Sequence, residues 1–332
     1  MKRSYSLSFH KIIKAILILS IIFLIIALAI FPEKYSKSTY SGVLLWAVAV
    51  MPSLLPYFFL TAILTKTNCL SKITYNLTPL SKKLFRLKGI SFYAFFMSVL
   101  SGYPVGSKIT SDLYQNGLIG EGEAKRLSLL ASTSGPLFII GAVGANMFFD
   151  KRVGFILYIA HVLSAIFTSL IFRNKFEPPT LNDYAHFYEK SDNALYECVY
   201  SSVISVLIVG GFVSVFFVIS EILSDFYILY PITKLLSLIL TPFSASGNEA
   251  EALSIGLIEF TKGAKMLAGL GVTPLTVSLA NFIITFGGIS AIMQSLAFLK
   301  NAKVSAKFFI LGKFIQAIIS FVLCYLICLV FL

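Results

Sequence analysis

Glu259 closes the apolar run Leu253 to Ile258 and is followed by Phe260, Thr261, Lys262 and Gly263, so a lone carboxylate interrupts a segment otherwise suited to lipid or to a protein core. At membrane depth such a group is costly unless it is paired, protonated or functional. Lys262 or Lys265 offers a structural partner. The functional readings are a hydrogen bond to substrate or proton coupling, each needing a carboxyl with a perturbed pKa. Asn248, Glu249 and Glu251 begin the same stretch, where negative charge suits a helix N-terminus, so they read as a cap or a solvated end before they read as ligands.

Three further interruptions carry polar groups into apolar sequence. In Ser101-Gly102-Tyr103-Pro104-Val105-Gly106-Ser107-Lys108, one proline and two glycines oppose a continuous helix. A re-entrant hairpin is expected, with a second arm, Thr110 to Asn116, too polar to face lipid; a kinked helix is the plainer alternative. Ser132-Thr133-Ser134-Gly135-Pro136 breaks a later segment and gathers hydroxyls and freed amides, which favour an anion, unless the hydroxyls serve only to pack helices. In the second half, Phe286-Gly287-Gly288-Ile289-Ser290, followed by Gln294, occupies the corresponding place. Asn281 and Gln294 bond either across helices or to substrate, and Lys108 either meets an anionic substrate or snorkels to the interface.

The elements that position these residues must be membrane helices. The 332 residues are 57% hydrophobic with a mean hydropathy of +0.87, more apolar surface than one soluble core can hide. A hydrocarbon core of about 30 Å needs roughly 20 apolar residues per helix. Segments of that kind run from Ile12 to Phe31, Gly42 to Thr65, Leu127 to Phe149, Val153 to Phe172, Cys198 to Ser220, Met266 to Leu299 and Phe314 to Leu332. The first has the flanks of a signal peptide but a longer apolar stretch, so it is expected to remain as an anchor.

Lys and Arg outnumber Asp and Glu by 27 to 15, and they concentrate between apolar runs, as at Lys66, Lys72, Lys82, Lys83, Arg86 and Lys88. That pattern fits the positive-inside bias with a cytoplasmic N-terminus and excludes nucleic acid as the partner. The expected organisation is an anchor helix and outer loop (1–40), a first repeat (41–173), a cytoplasmic linker (174–193) and a second repeat (194–332). Each repeat reads as a span, an interrupted stretch, a long broken span and a span. The charge rule starts the first repeat outside and the second inside. The fold class is therefore an all-α polytopic membrane protein, an inverted-topology repeat with two re-entrant hairpins and two broken transmembrane helices, whose substrate site lies at the repeat interface.

The other side chains point to no catalysis. His10, His161 and His186 are scattered without a nucleophile beside them. Cys69, Cys198, Cys324 and Cys328 form no CxxC pair, and Cys324 with Cys328 cannot complete a metal shell. No enzyme activity, metal or cofactor is expected; the partners are the bilayer, a small anionic substrate and, as is common for such carriers, further copies of the chain.

The motifs SGYPVGSK (Ser101 to Lys108), STSGPLFIIGAVG (Ser132 to Gly144), LIEFTKG (Leu257 to Gly263) and FGGISAIMQ (Phe286 to Gln294) together resemble the YlbJ, or SpoVV, sporulation integral membrane proteins, over most of the chain beyond the first span. That family carries nucleoside-recognition gate domains, similar to the hairpin and broken-helix core of concentrative nucleoside transporters. The resemblance implies hairpin tips at Ser101 to Ser107 and around Glu259 to Gly263, with unwound segments at Ser132 to Pro136 and Gly287 to Ser290. It also implies movement of dipicolinic acid across the outer forespore membrane of an endospore-forming bacterium. Two departures matter. Ala131-Ser132 stands where the family often has Cys-Asn, so an Asn contact does not carry over. Tyr103 and Pro104 stand where nucleoside carriers have polar and acidic residues, which argues against nucleoside specificity. A nucleoside or other metabolite carrier, a channel and a non-transporting sporulation scaffold are the alternatives.

Overall fold

The computed structural model describes residues 2–66, 69–175, 194–243, 245 and 247–332. Most of the expected linker, 176–193, lies outside the described residues, as does His186. Among the described residues the fold is all-helical.

Helix α1 (Lys2–Ile30) turns by 106° at Phe31 into α2 (Pro32–Leu45). The expected outer loop at 32–40 is therefore helix. Pro32 starts it, where a missing N–H costs nothing. Lys37 pairs with Glu33 at 2.7 Å, and Lys34 ties the helix to Asp225 at 2.6 Å. A wider turn at Trp46–Val50 joins α2 to α3 (Met51–Lys66).

Next come α4 (Cys69–Phe85), the hairpin arms α5 (Gly89–Ser101) and α6 (Val105–Gln115), α7 (Glu121–Leu130), a wide helical turn at Leu137–Met147, and α8 (Lys151–Ile171). The second half runs α9 (Ala194–Asp225), α10 (Tyr230–Leu240), hairpin arms α11 (Gly247–Ile258) and α12 (Phe260–Gly269), α13 (Pro274–Phe286), α14 (Gly288–Leu299) and α15 (Ala306–Phe331). Both halves thus place a long helix, a short helix, a hairpin, a broken helix and a final helix in the same order. Helices α4 and α10 replace what read as connecting sequence. The α4 sequence is amphipathic, with Lys82 and Lys83 in its last turn, and at 17 residues it is too short to span a bilayer. Among the described residues four segments, α8, α9, the combined α13–α14 and α15, are long and apolar enough to cross a membrane, and up to six if each bent pair counts as one.

Side chains fix the helix ends. Thr273 and Thr276 form a capping box at α13, Thr273 Oγ1 accepting the Thr276 N–H at 3.1 Å. Glu249 occupies the first turn of α11 and Glu251 is exposed, in keeping with a solvated helix start. Asp150 caps α8 by accepting the Arg152 N–H at 2.8 Å, and the adjacent guanidinium holds its carboxyl below the ordinary range. The sign follows: a lowered carboxyl contributes stability that is complete above its unfolded value and lost as pH falls through its folded one. Arg152 is exposed, so screening leaves mainly the cap; Asp150→Ala is expected to cost about 1 kcal/mol in a denaturation midpoint series.

Among the described residues the two larger core clusters lie around the first hairpin, with Leu87, Leu113, Leu127 and Phe309, and around the second, with Ile139, Leu267, Val277 and Ile283. Cys324 and Cys328 are buried with sulfurs 4.0 Å apart and act as packing in the second.

Candidate functional site

The first hairpin tip forms because α5 cannot continue. Gly102 adopts φ +91°, Pro104 has no N–H, and the Tyr103–Pro104 peptide is cis. Behind the tip, Gly106 lets the second arm touch the break after α7: a Cβ there would lie 1.9 Å from the Ala131 carbonyl. The first arm satisfies that break. Ser98 Oγ donates to the Ala131 carbonyl at 2.9 Å, lies 2.8 Å from Thr133 Oγ1 and accepts the Thr133 N–H at 3.2 Å. Unwound backbone at membrane depth requires such partners.

Two basic side chains that the sequence did not mark as site residues hold the breaks together. His161 on α8 is fully buried; its Nε2 accepts the Ser134 N–H at 2.8 Å, so Nε2 carries no proton and Nδ1–H faces Thr285 Oγ1 at 2.7 Å. Thr285 donates onward to Ser320 at 2.8 Å. His161 is thus a neutral bridge between the α7 break and α13. Lys313 on α15 donates to the Ser132 carbonyl at 2.9 Å, Gln316 Oε1 at 3.1 Å and Tyr103 Oη at 3.2 Å. Tyr103 in turn donates to the Ile284 and Thr285 carbonyls, 2.8 and 3.1 Å away, at the C-terminal end of α13. Tyr103→Phe is expected to cost about 1–3 kcal/mol by leaving those groups unmatched. A thermal unfolding series would show it, and an unchanged midpoint would remove the hydroxyl from the network.

At the second tip Glu259 is the N-cap of α12. Its Oε2 accepts the Lys262 N–H at 2.8 Å and the Thr261 hydroxyl, while Oε1 has no hydrogen-bond partner among the described residues. The structural alternative, a pairing with the Lys262 or Lys265 ammonium, is not made among the described residues; the Lys262 ammonium pairs instead with Glu221 on α9. Gly287 and Gly288, at φ +88° and +59°, end α13 and start α14 without a side-chain cap. A Cβ on Gly288 would meet the Gly256 and Ile258 carbonyls at 2.9 and 3.0 Å, so the second break lies directly on the second hairpin.

Between the tips lies a cavity of about 480 Å³. Of the expected residues, Ser101, Gly102, Tyr103, Ser134 and Gly135 line it from the first half, and Glu259, Thr261 and Gln294 from the second. Phe260 and Phe138 add an aromatic wall, their ring centres 5.4 Å apart, and Phe260 is 6.3 Å from Tyr103. The cavity shares Leu45, Val48, Met147 and Thr261 with a wider vestibule of about 1490 Å³ whose rim carries Lys34, Lys37, Lys262 and Lys265.

The remaining expected contacts fall elsewhere. Pro104, Gly106 and Ser107 pack behind the tip, and Lys108 pairs with Asp112 at 2.9 Å instead of facing the cavity; an acid four residues on was the legible signal for that pair. Thr133 is held by Ser98, and Ser132 offers its carbonyl to Lys313. Lys262 lies in the vestibule. Asn281 is buried with no hydrogen-bond partner for its side-chain amide among the described residues, and Gly287, Gly288 and Ser290 shape the break without lining the space, Ser290 accepting from Gln294 at 3.3 Å.

No family model matches the chain. In an alignment that covers 86% of this chain and 76% of the relative, it is 29% identical to the sporulation integral membrane protein YlbJ of Bacillus subtilis (strain 168). Among solved structures its fold resembles a doubly substituted variant of the concentrative nucleoside transporter CNTnw in an outward-facing state. The TM-score is 0.50 at 10% identity, covering 93% of this chain and 86% of that one. The apolar helices and the similarity to YlbJ make the chain an integral membrane protein.

Proposed function

We propose that this integral membrane protein is a secondary carrier that moves a small carboxylate, with dipicolinic acid the leading candidate, across the outer forespore membrane in sporulation. The observation that carries the reading is the cavity between the two hairpin tips, the α7 break and α14, holding a buried carboxyl whose Oε1 has no hydrogen-bond partner among the described residues. The sporulation relative and the transporter-like fold support a membrane transporter. The matching order of elements in the two halves supports inverted repeats at 41–173 and 194–332 that rock about a central site, with the N-terminus cytoplasmic by the charge rule.

The lining favours a planar, acidic ligand. Phe138, Phe260 and Tyr103 supply ring surface. The half-helix that begins at Leu137 has no side-chain cap and its first residues, Leu137 and Phe138, line the cavity, so its first N–H groups favour a substrate carboxylate there. A second substrate carboxylate beside Glu259 is tolerated only with a proton between them, which makes proton coupling a consequence of carrying a dianion. Nucleosides are the second reading, favoured by the fold likeness and by Gln294 and Glu259 as hydrogen-bonding groups. Calorimetric titration of the purified protein with dipicolinate, benzoate and uridine separates them. Saturable heat with dipicolinate, weaker with benzoate and absent with uridine, is expected; saturable binding of uridine alone would replace the carboxylate reading.

A further inference from the structure

Lys313 is buried in the middle of the fold, 1% exposed, with no carboxylate among the hydrogen-bond partners described for it. Its surroundings decide its charge. The Ser132 carbonyl and Gln316 Oε1 can only accept, and Tyr103 gives its one proton to the α13 carbonyls, so Tyr103 Oη also accepts from Nζ. Three acceptors at one nitrogen call for three N–H groups, which an ammonium has and a neutral amine lacks. The Tyr103 ring lies 4.9 Å from the nitrogen, a further cation-favouring contact. The neighbouring His161 adds no second charge, since it accepts the Ser134 N–H.

The place matters as much as the charge. Ser132 follows the last turn of α7, where the half-helix dipole is negative and its carbonyls have lost their helical partners. In carriers with broken helices, carbonyls of this kind are where a coupling cation binds. We propose that the Lys313 ammonium is a resident cation of this carrier. It fills from α15 the cation site formed by the Ser132 carbonyl, Gln316 and Tyr103, so that no inorganic cation is needed where the first hairpin tip, the α7 break and α15 meet. Its meaning for transport rests on the carrier reading above; the site itself does not.

Full-length protein would be purified in detergent, and its thermal unfolding followed in choline, sodium, potassium and methylammonium chloride at equal ionic strength. Wild type is expected to unfold at one midpoint in all four. Lys313→Ala is expected to unfold earlier in choline and to recover by about 4 °C, saturably, with sodium, potassium or methylammonium. If Lys313→Ala yields no folded protein in any salt, Lys313→Gln takes its place with the same expectation, and the wild-type series still decides. A saturable rise of the wild-type midpoint with an alkali cation overturns the proposal. So does a lysine variant that loses stability and recovers it with none of the cations, or one that loses none. Failure of dipicolinate binding with an intact cation response would remove the carrier's substrate and leave the resident cation standing.

Discussion

Glu259→Gln is expected to abolish the acceleration of dipicolinate uptake by a proton gradient, a loss of about tenfold or more in gradient-driven rate, while exchange of internal for external substrate continues. The amide keeps an oxygen to accept the Lys262 N–H that the carboxylate accepts at 2.8 Å, so the second hairpin tip retains its cap. What disappears is the proton that can be loaded and released; the neutral amide still lets a substrate carboxylate approach the place of Oε1, which is why exchange continues. Parallel gradient-driven and exchange assays on one reconstituted preparation make the comparison. Equal loss in both would mean that Glu259 holds the tip or the substrate without coupling, and equal retention in both would take the carboxyl out of the mechanism.

The largest effect on folding is expected at Gly106. Adding a methyl there places carbon 1.9 Å from the Ala131 carbonyl and 2.7 Å from Ser98, the side chain that satisfies the α7 break. Neither neighbour can yield without separating the hairpin from the broken helix, so Gly106→Ala is expected to cost about 4 kcal/mol or more, seen as loss of monodisperse protein or a much lower midpoint. On α9, a methyl added at Gly211 would meet nothing within 4 Å, and Gly211→Ala is expected to be neutral or slightly stabilising. Similar midpoints for the two variants would contradict the close packing at the first hairpin.

The breaks were legible because each needed residues with a local cost. Gly102, Pro104, Gly135, Pro136, Gly287 and Gly288 stand where a helix must stop, and the flanking hydroxyls serve the released backbone. Glu259 was legible as the lone acid in its run. The helices α4 and α10 were missed because a search for roughly 20-residue apolar runs passes over helices that are shorter and amphipathic. Lys313 and His161 were visible as isolated basic residues in apolar segments, but their meaning depends on Ser132, Tyr103, Ser134 and Thr285, which come from other helices. Lys108 was misjudged for a local reason, since Asp112 lies one turn further along the same face.

The most direct test of the central claim is uptake of radiolabelled dipicolinate into liposomes that contain the purified protein, with an inward proton gradient, without one, and with excess unlabelled uridine. Saturable uptake that the gradient drives above equilibrium and uridine leaves unchanged is the predicted result. Uptake absent from liposomes containing demonstrably folded protein, or uptake that uridine suppresses completely, would contradict the assignment of a carboxylate carrier.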